Sequence, residues 1–188
     1  IGAYPSTRGI PELRQAMATW TEQRFQLKKG SLDPEANILP VNGTREALFS
    51  IAQAVINPQK ATKKSTDSDP DQAGPYVLLP NPFYQIYEGA TLMAGAQPYF
   101  CASTANNGFL PDYHQIPETI LKQTSLLYLC SPANPTGAVF PLERLIQLIE
   151  LAHTHNFIIA SDECYSEIWY DQLPPGLLQA AKQMGNTT

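Results

Sequence analysis

The sequence has few basic residues, few cysteines and no long apolar run. Its 188 residues include 12 lysines and arginines against 17 aspartates and glutamates, so the formal net charge is -5 at pH 7. Because such a chain offers no positive field to hold nucleic acid or an anionic membrane surface, neither is expected as a partner. Small molecules or other proteins are the expected partners.

The three cysteines, Cys101, Cys130 and Cys164, stand at wide spacing and match neither a disulfide framework nor a zinc site. We expect reduced thiols that are buried or half buried. No apolar run approaches the roughly 20 residues that a membrane span needs, and the first residues lack the basic and apolar regions of a signal peptide. A cytoplasmic location is therefore expected.

Both ends of the sequence predict a piece of a longer protein. The first residue is Ile1 rather than methionine, and the last five residues, 184–188, contain no terminating element. The composition, 43% hydrophobic and 15% charged, is that of an ordinary globular protein with one core. We expect residues 1–188 to form a single domain that is truncated at both ends.

Strands and helices are predicted to alternate along most of the chain. The predicted helices cover residues 11–28, 47–56, 84–93, 117–122 and 142–153. The predicted strands cover residues 38–41, 76–79, 97–100, 125–129 and 157–160. The last two strands are apolar without alternation, as in strands covered on both faces. Residues 60–75 are polar and rich in turn formers, which predicts a flexible surface loop.

This alternation predicts an α/β fold with three layers, a parallel sheet with helices on both faces. In such sheets ligands bind outside the carboxyl ends of the strands. The residues that directly follow the predicted strands are therefore the candidate site.

Gly43, Thr44 and Arg45 follow the first predicted strand and open a helix. Free backbone N–H groups, the helix dipole, a hydroxyl and a guanidinium together favour a phosphate at this position. A glycine turn between a strand and a helix is more often only a turn, so this motif alone decides nothing.

Aromatic residues follow the second predicted strand, in the sequence Asn-Pro-Phe-Tyr at 81–84. The ring of Tyr84 could lie flat against a planar ligand. Phe83 and Tyr87 are interpreted as packing between helix and sheet.

The most specific motifs follow the last two predicted strands. The loop 131–137, with two prolines and a glycine, is rigid and projects the amide of Asn134, which needs a partner if it is buried. Asp162 ends the next strand, with the phenol of Tyr165 three residues later. Because a buried carboxylate is costly unless it is paired, Asp162 implies a cationic partner, with capping of a turn as the structural alternative.

Together these motifs resemble the class I/II aminotransferases, which have fold type I of the pyridoxal-phosphate enzymes. The resemblance is carried by Tyr-Pro-x-x-x-Gly from residue 4, Asn-Gly-Thr-Arg at 42–45, Asn-Pro-Phe-Tyr at 81–84, Ser-Pro-x-Asn-Pro-Thr-Gly at 131–137 and Ser-Asp-Glu-x-Tyr at 161–165. Order and spacing agree over nearly the whole chain. The resemblance implies the large domain of that fold, with pyridoxal 5'-phosphate as the cofactor.

The resemblance also implies a set of cofactor-binding residues. They are Tyr4, Gly43, Thr44, Arg45, Tyr84, Asn134, Asp162 and Tyr165. Asp162 would pair with the protonated pyridine nitrogen and keep the ring electron-poor. Asn134 and Tyr165 would hydrogen-bond to the ring oxygen, and these three residues form the expected catalytic group.

The other members of the set have binding roles in the family. Tyr84 would stack on the pyridine ring, and the segment 43–45 would hold the phosphate. Tyr4 would reach the phosphate of a neighbouring subunit, which implies a homodimer with shared active sites.

The activity implied is transfer of an amino group between an amino acid and a 2-oxo acid. Segments 4–14 and 161–168 are most similar to the succinyldiaminopimelate aminotransferases of bacterial lysine biosynthesis, which implies glutamate as the donor. An aspartate, alanine or aromatic aminotransferase is the alternative enzyme, and an aminotransferase-like domain of a transcription regulator is the alternative outside enzymes. A nucleotide-binding doubly wound domain is disfavoured because the sequence has neither a G-x-G-x-x-G nor a P-loop pattern.

Part of the family's pattern is missing from the sequence. The lysine that binds the cofactor covalently lies in a Ser-x-x-Lys segment some tens of residues after the aspartate, and no such segment occurs here. The later arginine that holds the substrate carboxylate is also missing. Lys182 lies too close to Asp162 and lacks the serine. We therefore expect the 188 residues alone to be inactive, although the longer protein would transaminate.

The remaining titratable residues receive structural interpretations. His114, His153 and His155 belong to no cluster with metal-ligand spacing, so no metal is expected. Glu163 and Glu167 could serve the site, but they are interpreted as solvated or dimer-facing carboxylates.

Overall fold

The structure is a computed structural model that describes residues 4–57 and 74–185. Its helices are α1 (Pro11–Arg24), α2 (Thr44–Val55), α3 (Gln85–Met93), α4 (Glu118–Leu121), α5 (Leu142–His155) and α6 (Leu177–Gln183). Its strands are β1 (Tyr76–Asn81), β2 (Gln97–Ala102), β3 (Thr124–Cys130) and β4 (Ile158–Asp162). In this described part no helix is long and apolar enough to cross a bilayer.

The four strands form one parallel sheet in the order β2-β1-β3-β4. Parallel neighbours need a crossover connection, and α3 supplies it between β1 and β2 while α5 supplies it between β3 and β4. In the register of the last pair, Leu127 lies opposite Ile159 and Cys130 lies opposite Asp162. The carboxyl ends of all four strands therefore point to the same edge of the sheet.

Helices cover both faces of this sheet, which confirms the predicted three-layer α/β fold. Successive side chains of a strand point to opposite faces, so the apolar runs of β1 and β3 supply two cores. On one face Leu79 and Tyr128 belong to a cluster with Leu48 of α2. On the other face Leu127 belongs to a cluster with Leu145 of α5. An apolar run without alternation is what this double burial requires.

The first helix is shorter than predicted. It ends at Arg24, and the backbone of Gln26 adopts a left-handed conformation with φ of 56°. A residue in that region cannot continue a right-handed helix. The amphipathic pattern of 11–28 therefore overestimates the length of α1.

The predicted strand over 38–41 is wrong. These residues form no regular element, and the side chains of Leu39 and Val41 are 63% and 47% exposed. A strand needs a neighbour to pair with, and no described strand runs beside this segment. Helix α2 therefore begins after a loop rather than after a strand.

The prediction that the last strand is covered on both faces is also wrong at its start. β4 pairs only with β3 and forms the edge of the described sheet, and Ile158 is 47% exposed. β3, with a neighbour on each side, is buried along nearly its whole length as predicted. The two strands have similar apolar sequences, so their positions in the sheet cause the difference.

Most of the predicted loop over 60–75 lies outside the described residues. Gly74 and Pro75 are described, and both are buried. The backbone N–H of Gly74 donates to Oε1 of Gln123 at 3.0 Å. These two residues are therefore anchored to the chain that leads into β3.

Glu163 ties the end of β4 to α6, a helix that the sequence did not predict. Its carboxylate accepts hydrogen bonds from the Ser161 hydroxyl at 2.7 Å and from the Leu177 backbone N–H at 2.9 Å. The interpretation of Glu163 as solvated is therefore wrong. Glu167 is half exposed and forms an ion pair with Arg24 of α1. Both carboxylates thus hold elements of the fold together.

Substituting Glu163 with glutamine is expected to make stability less dependent on pH. Burial raises the pKa of Glu163 above its ordinary value of 4.5, so the folded chain binds this proton more tightly than the unfolded chain. The contribution of Glu163 is fully present below pH 4.5 and is lost as the pH rises through the raised folded-state pKa. Urea unfolding at a series of pH values should show the parent losing stability relative to Glu163→Gln as pH rises. A difference between the two proteins that does not change with pH would contradict this expectation.

Candidate active site

A cavity of about 250 Å³ lies at the carboxyl edge of the sheet. Its walls come from the start of α2 and from the segments that follow β1, β2, β3 and β4. The predicted site residues that line it are Thr44, Tyr84, Asn134, Asp162 and Tyr165. Motifs far apart in the sequence therefore converge where the strand-end rule places a ligand.

Asp162 supplies the buried carboxylate of this cavity. It is the last residue of β4 and is 7% exposed. Its Oδ2 accepts a hydrogen bond from the Tyr87 hydroxyl at 2.6 Å, and its Oδ1 accepts a long one from the Cys164 backbone N–H at 3.4 Å. None of the ion pairs among residues 4–57 and 74–185 includes Asp162. The expected cationic partner is therefore not a side chain of that part of the chain.

Asn134 and Tyr165 meet across the cavity from neighbouring strand ends. The Asn134 side-chain amide donates to the Tyr165 oxygen at 3.2 Å. Because this oxygen acts as the acceptor, the Tyr165 hydroxyl hydrogen remains available to a second partner. The pair is thus set to present a phenol hydrogen to a ligand oxygen.

The loop that carries Asn134 is internally braced, as its prolines predicted. The Gly137 N–H donates to the Ala133 carbonyl at 2.6 Å, and the Phe140 N–H donates to the Ser131 hydroxyl at 3.1 Å. Gly137 has φ of 70°, a conformation that glycine adopts without strain. These contacts brace the loop backbone on both sides of Asn134 without help from a ligand.

The segment predicted to bind phosphate forms the start of α2. Gly43 is the N-cap residue, and within the described residues no side chain caps this helix. The N–H groups of its first turn are therefore available to an anion. Thr44 lines the cavity, whereas Gly43 and Arg45 do not. Arg45 instead donates from Nε to the Tyr84 hydroxyl at 2.6 Å, with its guanidinium carbon 5.7 Å from the Tyr84 ring centroid.

Tyr4 is not part of the site within this chain. It lies outside the cavity, and its side chain is 99% exposed. Its expected role in a neighbouring subunit stays a prediction.

Sequence reasoning missed the contact of Tyr87 with the site. The ring does pack as predicted, stacked on Tyr128 with centroids 4.6 Å apart. Its hydroxyl, however, reaches the Asp162 carboxylate. The signal was the helical spacing of three residues from Tyr84, which places Tyr87 on the same side of α3 near the strand ends.

Two cysteines line the cavity without being reactive. Cys130 is buried, whereas Cys164 is exposed, which corrects the expectation that all three thiols are buried or half buried. Although Cys164 is exposed as a residue, partial desolvation of its thiol, together with the neighbouring Asp162 carboxylate, raises its pKa to about 12. Because the thiolate is the nucleophilic form, this thiol is not set up for covalent catalysis.

Comparison with known proteins decides the family. The family model described as "Aminotransferase class I and II" matches residues 1–184. The chain belongs to the class I and II aminotransferases. The LL-diaminopimelate aminotransferase of Dehalococcoides mccartyi is 35% identical over 185 residues, which are 97% of this chain and 43% of that protein. The corresponding protein of Aquifex aeolicus is 36% identical over 177 residues, which are 94% of this chain and 41% of that protein.

Solved aminotransferases share the fold of this chain. A crystal structure of an aminotransferase from Neisseria meningitidis Z2491 matches with a TM-score of 0.84 and 46% identity, over 97% of this chain and 43% of that chain. The aminotransferase AspB from Helicobacter pylori 26695 matches with a TM-score of 0.81 and 34% identity, over 98% and 44% of the two chains. This aminotransferase chain thus spans less than half the length of those relatives. The family depends on pyridoxal phosphate, as the resemblance implied.

Proposed function

We propose that residues 1–188 form the pyridoxal-phosphate cradle of a longer enzyme that moves an amino group between an amino acid and a 2-oxo acid. The observation that carries the proposal is the buried Asp162 carboxylate in a cavity that Tyr84, Asn134 and Tyr165 also line. A buried carboxylate is costly unless a cation pairs with it. A protonated pyridine nitrogen is such a cation.

The residues of the cavity fit the ring of this cofactor. Asp162 would accept the hydrogen bond of the ring nitrogen and hold a proton there. The Tyr165 hydroxyl, whose oxygen already accepts from Asn134, would donate to the ring oxygen, and Tyr84 would lie against the ring. When bound, the cofactor supplies an electron-poor ring that accepts the negative charge developing on the α-carbon of the substrate.

The start of α2 fits the phosphate. Thr44 would offer its hydroxyl, and the first turn that follows Gly43 would offer backbone N–H groups at the positive end of the helix dipole. Arg45 adds a positive charge close by and holds the hydroxyl of Tyr84. Arg45 would therefore connect the phosphate side of the site with the ring of Tyr84, which would cover the cofactor.

The substrate belongs to lysine biosynthesis in this proposal. The Dehalococcoides and Aquifex relatives are named for LL-diaminopimelate, and the sequence resembles succinyldiaminopimelate aminotransferases. Succinyldiaminopimelate with glutamate is therefore the pair that we propose to test first. An aminotransferase for aspartate, alanine or an aromatic amino acid is the alternative. Both relatives are named as aminotransferases, which favours an enzyme over a transcription regulator.

The assembly is proposed to be a homodimer in the cytoplasm. An exposed Tyr4 is free to reach the site of a second subunit, as the family resemblance implies. The proposed activity also requires a longer chain that supplies the cofactor-binding lysine, because the sequence contains no Ser-x-x-Lys segment.

An amino-donor screen of the longer protein tests this function. We expect bound pyridoxal phosphate to convert to its amine form with succinyldiaminopimelate or glutamate, with the highest kcat/KM for the true pair. The change is followed by the absorbance of the cofactor. LL-diaminopimelate, aspartate, alanine and aromatic amino acids are the comparison donors. A protein that binds the cofactor but transfers no amino group from any of these donors would contradict the enzyme and favour the regulator.

A further inference from the structure

Tyr87 is buried and is held by two ring contacts and a hydrogen bond. It lies in the first turn of α3 and is 1% exposed. One face of its ring stacks on Tyr128 at 4.6 Å, and the ring meets Tyr84 edge-on at 5.9 Å. The Tyr87 hydroxyl therefore has one position, 2.6 Å from Asp162 Oδ2.

The surroundings of Asp162 make this donor important. The titratable groups that face it are the thiols of Cys130 and Cys164, the adjacent carboxyl of Glu163 and the phenol of Tyr87. Not one of these groups is a cation. Burial and the bond to Asp162 raise the pKa of Tyr87 far above its ordinary value, so the hydroxyl stays protonated and can only donate to this carboxylate oxygen.

The hydrogen bond from Tyr87 also makes the two carboxylate oxygens of Asp162 different from each other. Oδ2 accepts the short hydrogen bond from Tyr87 at 2.6 Å, whereas the hydrogen bond that Oδ1 accepts from the Cys164 N–H is long, at 3.4 Å. A carboxylate without the bond to Tyr87 could rotate about its terminal torsion, which is a soft one. With Oδ2 held by Tyr87, Oδ1 is the oxygen with the weaker backbone contact, and it is the one that we expect to receive a hydrogen bond from a ligand.

We propose that Tyr87 is a positioning residue whose hydroxyl holds the Asp162 carboxylate toward the ring nitrogen of the cofactor. This inference rests on the proposed function, because it assigns Tyr87 a role only if Asp162 meets that nitrogen. Tyr87 acts through Asp162 and does not itself touch the reacting atoms. Its effect must therefore disappear when Asp162 can no longer carry a charge.

The test is a double-mutant cycle on the longer protein with pyridoxamine 5'-phosphate as the ligand. We expect Tyr87→Phe to weaken binding by up to about tenfold, because a carboxylate that can rotate must be ordered when the ligand binds. In an Asp162→Asn background the same substitution should change binding by less than about twofold. The matched control is Tyr128→Phe, which removes a neighbouring buried hydroxyl that does not touch Asp162 and should leave binding within about twofold of the parent.

A second readout is independent of activity and of total affinity. With ligand labelled with ¹⁵N in the ring, the NMR shift of the nitrogen reports its protonation. We expect its titration to move to lower pH in Tyr87→Phe and to stay unchanged in Tyr128→Phe. Tyr87→His keeps an N–H donor, so its nitrogen titration should lie between that of the parent and that of Tyr87→Phe. This variant also serves if the phenylalanine variant does not fold.

The outcomes separate this inference from the proposed function. A parent protein that does not bind pyridoxamine phosphate overturns both. A parent that binds, with Tyr87→Phe equally costly in both backgrounds, overturns the positioning role and leaves the proposed function intact. An unchanged nitrogen titration in Tyr87→Phe does the same.

Discussion

Replacing Asp162 with asparagine is expected to lower kcat/KM for transamination by the longer protein about a thousandfold. Asparagine has the same shape and keeps a hydrogen-bonding group at the end of β4, but it has no charge. Under the proposed function, Asp162 stabilises a protonated ring nitrogen, and no other described residue that lines the cavity is acidic. Charge stabilisation of this kind dominates the rate enhancement in many active sites. Steady-state kinetics with the best donor from the screen measure the loss.

Glu163→Gln is the matched control for this experiment. It makes the same change from carboxylate to amide at the next residue, but Glu163 does not line the cavity and instead holds Ser161 and the start of α6. We expect this variant to keep kcat/KM within about threefold of the parent. Equal activity of the Asp162→Asn and Glu163→Gln proteins would show that the buried charge does not serve the chemistry.

The isolated 188 residues are expected to show no turnover with any donor, whereas the longer protein is expected to be active. Covalent catalysis requires an amine beside the cofactor. Of the lysines that the structure describes, Lys28, Lys29, Lys122 and Lys182, none lines the cavity. The side chain of Lys182 donates to the Gln26 carbonyl instead.

Mixing the isolated chain with pyridoxal phosphate, glutamate and a 2-oxo acid tests this directly. Borohydride reduction followed by peptide mapping would reveal any lysine that bonds to the cofactor. We expect no single lysine to be labelled stoichiometrically, in contrast to the longer protein under the same conditions. Catalytic turnover by the 188 residues would refute the expectation.

Much of the fold was predictable because strands that are buried on both faces have apolar sequences without alternation. The runs in β1 and β3 are apolar without alternation, and the helical pattern of α5 extends over its whole length. The failures arose where tertiary position decides. Segment 38–41 resembles a strand but has no partner, and Ile158 is exposed because β4 is an edge strand of the described sheet.

The candidate site was predictable at the level of residues but not of contacts. Asn134 and Asp162 converge because β3 and β4 are parallel neighbours whose carboxyl ends lie together, which topology alone implies. Thr44 also lines the cavity, but it follows a loop, so the strand-end rule does not account for it. The hydrogen bond of Tyr87 to Asp162 and that of Arg45 to Tyr84 depend on helix rotation and rotamers. No periodicity in the sequence encodes those two quantities.

The pairing of Cys130 with Asp162 in adjacent strands has a consequence for how such enzymes can diverge. The loop with Asn134 follows Cys130 and the turn with Tyr165 follows Asp162, so both start from this one pair of residues in the sheet. In the sequence, helix α5 separates them. We expect insertions or deletions in that helix to leave the distance between the Asn134 amide and the Tyr165 phenol unchanged, as long as Cys130 and Asp162 stay paired. A change in crossover length is therefore compatible with an unaltered candidate site.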